Sequence, residues 1–216
     1  FHGGLGTNDI IDGKFGKALS FDGTDDYVDC GNDESLNITD EITIEAWVKP
    51  IITGQHGIIG GSSSYGGAYQ LYLRNQTNAM VGFWFNDGTQ RKTLIRGNVQ
   101  DDVWTHVAAV YDGTNMIIYI NGNPYSGTPS TGTEAVNYDG VKIGYIPWIA
   151  SPKYFNGTLD EVRIYNRALS WEEINASYNN GLYRLYHNFT GLNDGEYNYS
   201  AYVIDSAGNL NKTSMR

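Results

Sequence analysis

The sequence predicts an all-β protein: two antiparallel sheets packed as a jelly-roll sandwich, with one short helix and a short C-terminal β segment. Three observations carry this. Short runs of alternating or wholly apolar residues recur along the chain, the period-2 signature of strands with a buried face. Asp-Gly and Asn-Gly pairs punctuate them, supplying the positive φ that tight hairpin turns need. The composition, 27 Gly and 17 Tyr in 216 residues, suits many strands and many turns.

Taken in order, Phe1 to Gly16 is glycine-rich without firm periodicity and is expected to cover a sheet edge or supply one irregular strand. Strands come next at about 17–21 and 26–30, joined by the turn Asp22-Gly23-Thr24-Asp25. In 42–48, Ile42, Ile44, Ala46 and Val48 share one face and Thr43, Glu45 and Trp47 the other, and Trp47 implies that the second face is covered too. A short strand at Ile58-Ile59 precedes the glycine- and serine-rich loop Gly60–Gly67, which has neither the Lys nor the following helix of a phosphate cradle. Further strands are expected at 68–74, 79–85 and 92–96. The segment Trp104 to Ser126 reads as two successive hairpins, turned at Asp112-Gly113 and Asn121-Gly122. The stretch 128–139 is a polar loop, 141–145 returns to strand, and 147–152 (PWIASP) is a rigid loop carrying Trp148.

From Leu159 to Tyr165 the chain alternates again, Leu159, Glu161 and Arg163 on one side and Asp160, Val162 and Ile164 on the other. Ser170 then precedes Trp171-Glu172-Glu173, so Ser170 and Glu173 can form a capping box, with Leu169 and Ile174 placed as a hydrophobic staple. So short a helix, about 170–179, needs tertiary packing to persist, and Trp171, Ile174 and Tyr178 are expected to supply it.

The stretch 157–174 (GTLDEVRIYNRALSWEEI) resembles the closing signature of the laminin-G-like, concanavalin-A-like jelly-roll domains. GKALSFDGTDDYV (16–28), ITIEAWVKP (42–50) and WTHVAAVYDGTNMIIYINGNP (104–124) fall in the order that family uses, so the resemblance spans about 14–180. It implies a jelly roll serving as a lectin, adhesion module or enzyme appendage, and it assigns His106 a structural position. It also implies a structural calcium ion between early and late segments. The domain is therefore read as 1–181. The remainder, 182–216, is read as a partial β tail, and its run FTGLNDGEYNYSAYVIDSAGN resembles the last strands of immunoglobulin-like repeats of archaeal surface proteins. Two or three strands do not make a core alone.

Charge narrows the function. Fourteen Lys and Arg against 24 Asp and Glu give a net charge of −10, which argues against a phosphate-backbone binder. No apolar run approaches the ~20 residues of a membrane span. One cysteine, Cys30, excludes an intramolecular disulfide and is expected as a small buried residue. Seven Asn-X-Ser/Thr sequons, at Asn37, Asn75, Asn156, Asn175, Asn188, Asn198 and Asn211, exceed the roughly three that 21 Asn and 29 Ser plus Thr would give by chance. They point to a glycosylated protein at the cell surface or outside the cell.

No catalytic set emerges. The acidic residues lack the spacing of a glycosidase pair along one strand, no G-x-S-x-G occurs, and the four histidines lack metal spacing. Calcium is the candidate cofactor, with Asp22, Asp25, Asp26 and Asp160 offering carboxylate oxygens. Tyr65, Trp84, Trp148 and Tyr154 lie in or beside loops as candidate carbohydrate platforms. Two functions fit: a non-catalytic subunit of a cell-surface layer or filament, self-assembling as a homo-oligomer or polymer, which the sequons and tail favour; or a carbohydrate- or ligand-binding module of a larger exported protein.

Overall fold

The structure is a computed structural model. It describes residues 1–61, 69–74, 79–132, 140–147 and 152–180, the bend at Gly195, and the backbone of two short tail strands. The chain divides into two compact units, Phe1–Tyr183 and Arg184–Arg216.

The first unit is a sandwich of two seven-stranded antiparallel sheets. Its strands are β1 (Ile10–Asp12), β2 (Lys17–Asp22), β3 (Val28–Asp29), β4 (Ile42–Pro50), β5 (His56–Gly61), β6 (Tyr69–Arg74), β7 (Met80–Asn86) and β8 (Arg91–Asn98). They continue as β9 (Thr105–Tyr111), β10 (Met116–Ile120), β11 (Asn123–Ser126), β12 (Ser130–Gly132), β13 (Val141–Ile143), β14 (Tyr145–Ile146), β15 (Lys153–Tyr154) and β16 (Asn156–Tyr165). The first sheet runs β1-β2-β16-β4-β9-β10-β11 and the second β12-β8-β7-β6-β5-β13-β3, while β14 and β15 form a separate small ladder. The one α-helix among the described residues is α1 (Trp171–Asn180).

Alternation decides which side chains meet. Ile42, Ile44, Ala46 and Val48 of β4, Val107 and Ala109 of β9, and Ile118 of β10 face Leu71 and Leu73 of β6 and Val81, Phe83 and Phe85 of β7 in one core. Each fully buried Val, Leu, Ile or Phe among them contributes about 1.5–3 kcal/mol. The hairpin from β10 to β11 turns through Asn121 and Gly122 with φ of 51° and 74°, the two positive angles that a type I′ turn requires.

The outer face of the first sheet is covered as well. The Ser170 Oγ accepts the Glu173 amide at 3.3 Å and Glu173 accepts the Ser170 amide at 2.9 Å, closing the capping box. Leu169 and Ile174 pack together with Ala108, Val110 and Tyr119, seating α1 on β9 and β10. Tyr178 stacks on Trp47 at 5.8 Å. Trp171 is the exception: it is 49% exposed and holds the helix by an indole N–H donated to the Gly122 carbonyl at 3.2 Å. Cys30 also departs from expectation, being exposed at a sheet margin beside β3.

The simple alternation expected of 159–165 is broken. Asp160 lies opposite Trp47 and Arg163 opposite Glu45, so three steps on β16 match two on β4. Glu161 takes a φ of 51° within this bulge. A bulge flips side-chain parity, so Leu159 before it and Ile164 after it both face the core. Arg163 and Tyr165 turn outward to Glu45 instead.

The second unit holds two described strands, β17 (Tyr202–Ile204) and β18 (Leu210–Lys212), paired antiparallel with Val203 opposite Asn211.

Candidate functional site

The outer face of the second sheet, at its β3–β13 edge, gathers half-buried aromatic rings. Tyr27 precedes β3, while Tyr145 on β14 and Tyr154 on β15 sit directly opposite each other. Ring centres lie 5.5 Å apart for Tyr27 and Tyr145, and 5.1 Å for Tyr145 and Tyr154. His2 stacks on Tyr27 at 4.5 Å and an interplanar angle of 4°. The Lys142 ammonium lies 4.6 Å from the Tyr27 ring and 5.3 Å from that of Tyr145.

Gly57 sets this arrangement. A Cβ there would lie 2.5 Å from the Ile146 amide nitrogen and 2.6 Å from the Tyr145 carbonyl carbon, so the β14–β15 ladder can rest on β5 only over a glycine. Burial pushes the phenols of Tyr145 and Tyr154 up, and the negative charge of Asp25 adds to the effect at Tyr154. The rings therefore stay neutral donors and acceptors at physiological pH, suited to stacking and hydroxyl contacts.

Asp25 belongs to the acidic turn after β2. Asp22, Asp25 and Asp26 bring carboxylate oxygens within 4.8 Å of one another. Asp22 accepts the Thr24 amide at 2.7 Å. Buried Asp26 accepts two amides, from Gly4 and from Asp22, each at 3.0 Å. The N-terminal segment thus lies along the turn, and Gly3, with a φ of 76°, passes so close to Asp25 that a Cβ would meet its carbonyl carbon at 2.6 Å. Oxygen donors of this kind fit a calcium ion, although both Asp26 oxygens already serve the backbone.

Asp160, grouped with these three from the sequence, lies elsewhere. Asn156 pairs with Asp22 and Leu159 with Leu19, which puts Asp160 four residues along the strand, about 13 Å from the turn. It is buried, and its carboxylate accepts the Phe15 amide at 2.8 Å.

Of the aromatic candidates, Tyr154 lies in the cluster. Trp84 is 8% exposed, packed with Tyr72 and Ile146 further across the same face, and is not an open platform. The Tyr72 ring lies over Gly82, where a Cβ would be 2.3 Å from its Cζ. The Trp84 indole N–H has no hydrogen-bond acceptor among the described residues, and the Arg91 guanidinium lies 5.9 Å from its ring. Tyr65 and Trp148 lie outside the described residues, as do the sequons at Asn75, Asn188 and Asn198. Tyr27, Tyr145, Lys142 and His2 escaped sequence reasoning; they are far apart in the chain, and the pairing of β14 with β15, of β3 with β13 and of His2 with Tyr27 brings them together.

Acidic chemistry on the opposite outer face is enclosed. Glu45, 1% exposed, accepts hydrogen bonds from Arg163 at 3.1 Å, Tyr165 at 3.0 Å and Ser177 at 3.2 Å beneath α1.

Solved structures with the same fold include domain 4 of AbnA, a GH43 extracellular arabinanase from Geobacillus stearothermophilus, in complex with arabinotriose. It is 21% identical, with a TM-score of 0.60, and the match covers 81% of each chain. The CBM40 of the Ruminococcus gnavus IT-sialidase, bound to alpha2,3 sialyllactose, is 21% identical with a TM-score of 0.54, covering 74% of this chain and 94% of that one. The native heptameric SAP-like pentraxin of Limulus polyphemus is 17% identical with a TM-score of 0.53, covering 74% and 80%. No curated protein matches the sequence significantly. Residues 22–175 match the family profile described as concanavalin A-like lectin/glucanases, and the chain belongs to that superfamily.

Proposed function

We propose that this chain is a non-catalytic carbohydrate-binding module of a larger exported protein. The observation that carries the reading is the half-buried cluster of Tyr27, Tyr145 and Tyr154, with Lys142 and His2 at its margin. Aromatic rings with a polar tip give a sugar ring apolar area to lie against and hydroxyls to bond. Two same-fold structures that hold saccharides, arabinotriose in one and sialyllactose in the other, support this choice over other uses of the sandwich. The acidic turn beside the cluster is the place proposed for a calcium ion.

The sequence alone ranks a surface-layer or filament subunit first, on its sequons and tail. The fold relatives and the aromatic cluster reverse that order. The deciding experiment is titration of the protein with a panel of arabino-oligosaccharides, sialylated oligosaccharides and neutral glycans, followed by calorimetry on Tyr145→Ala and Tyr154→Ala. Saccharide binding that both variants weaken, with unchanged melting temperature, supports the reading. Absence of binding across the panel, or binding indifferent to both variants, overturns it.

A further inference from the structure

The seven sequons exceed chance, and the fold treats the described ones very differently. Asn37 ends the short 3-10 turn Glu34–Leu36, where its backbone N–H donates to the Glu34 carbonyl at 3.0 Å. Asn37 and Thr39 are both exposed, while Ile38 between them is 9% exposed and joins the core. The buried Ile38 anchors the segment, so the Asn37 amide and the Thr39 hydroxyl are both presented to solvent. Neither side chain has a hydrogen-bond partner among the described residues.

Asn156 has the opposite setting. It is the first residue of β16, paired with Asp22, and its N–H donates to the His56 Nδ1 at 3.1 Å. A Cβ placed on Gly23 would lie 2.7 Å from the Asn156 Cβ, so this side chain is packed against the acidic turn. The hydroxyl-bearing Thr158 is 8% exposed between Ser20 and Lys49. Asn175, on α1, has its Oδ1 3.0 Å from a Cβ placed on Gly122, and its partner Ser177 donates to buried Glu45 at 3.2 Å.

An N-linked glycan is bulky and needs an open surface around its asparagine. We propose that Asn37 carries such a glycan and that Asn156 and Asn175 do not. The inference rests on the exported setting proposed above, but not on sugar binding, which is measured on unglycosylated protein.

Tryptic digestion separates the three sites, since Asn37 falls in 18–74 (the Lys49-Pro50 bond resists trypsin), Asn156 in 154–163 and Asn175 in 168–184, each as the only sequon of its peptide. Mass spectrometry of the protein purified from its native source should find 18–74 shifted by a glycan mass, with 154–163 and 168–184 unmodified. Asn37→Gln should abolish the shift and leave the melting temperature unchanged. An unmodified 18–74 peptide, or a glycan on either of the other two, overturns the assignment.

Discussion

The His106 Nε2 lies 3.5 Å from the Glu45 Oε2, and the two side chains are 2% and 1% exposed. The Oε2 has no hydrogen-bond partner among the described residues. The other Glu45 oxygen collects Arg163, Tyr165 and Ser177, from β16 and α1. One carboxylate thus ties the helix to the outer face of the first sheet, with Trp47 and Tyr178 tilted against the imidazole.

Removing that carboxylate should destabilise the domain strongly. Arg163 is itself exposed, but the loss leaves the Tyr165 and Ser177 hydroxyls without their acceptor, and hydrogen bonds to a charged group contribute about 1.5–3 kcal/mol net. At about 2–4 °C per kcal/mol for a domain of this size, Glu45→Ala should lower the melting temperature by roughly 3–12 °C. A shift of less than a few degrees in calorimetry would show that water replaces the carboxylate freely.

The same network predicts acid sensitivity. Burial by itself would raise the Glu45 carboxyl, but His106, then Arg163 and Tyr165, outweigh it and hold the group below its ordinary value of 4.5. A depressed carboxylate contributes stability that is full above its unfolded value and lost as pH falls through its folded value. The melting temperature should therefore decline below about pH 4.5, and Glu45→Gln should flatten that decline. A decline of equal slope in wild type and Glu45→Gln would assign it to other carboxylates.

At the aromatic cluster, truncating a ring that contacts ligand typically costs more than about 1 kcal/mol. Tyr145→Ala and Tyr154→Ala should each weaken saccharide binding about tenfold, measured by calorimetry. Trp84→Phe keeps a packed ring and removes an N–H that bonds nothing among the described residues. It should leave stability within about 1 kcal/mol of wild type.

The acidic turn makes two separable predictions. Asp26→Ala orphans the amides of Gly4 and Asp22 and should destabilise by about 2 kcal/mol or more, with or without calcium. Calcium at a hundredfold its dissociation constant should add about 2.7 kcal/mol by mass action. Asp25→Asn should remove that increment and Asp160→Asn should not, given the separation along β16. Identical melting curves in calcium and in chelator would leave the three carboxylates with their hydrogen bonds as their whole role.

Local chemistry made much of the fold legible. Ser170 and Glu173 announce the helix start because a cap needs only neighbours three residues apart, and Asn121-Gly122 announces its hairpin because few other pairs accept two positive φ angles. Features decided by strand pairing stayed hidden. The bulge at Glu161 turns on how β16 registers with β4, and no residue of 159–165 signals it: Glu161 is not the glycine that such a φ favours. Asp160 reads as close to the acidic turn because both flank the same pair of strands, and the distance along the ladder is invisible without its register. The aromatic cluster unites residues from 2, 27, 142, 145 and 154, whose proximity depends on two ladders and the approach to Gly57.

The tail separates the two functions considered. Phe1–Tyr183 contains both seven-stranded sheets and the helix. A protein truncated after Tyr183 should fold with a melting temperature within a few degrees of the full chain. The described ladder of β17 and β18 has two strands, too few for independent stability. A binding module of a larger protein would need that segment only as a connection to a neighbouring domain or as a local cover. The full chain should then run as a monomer at high concentration in size-exclusion chromatography with light scattering. A polymer that resists dilution and disappears on deletion of 184–216, leaving a folded monomer, would restore the filament reading. The donated tail would then be serving as a strand for a neighbour's open edge. Saccharide titration of the truncated protein completes the test: unchanged affinity places recognition wholly within the sandwich, whereas loss of binding with an intact fold would move it to the tail.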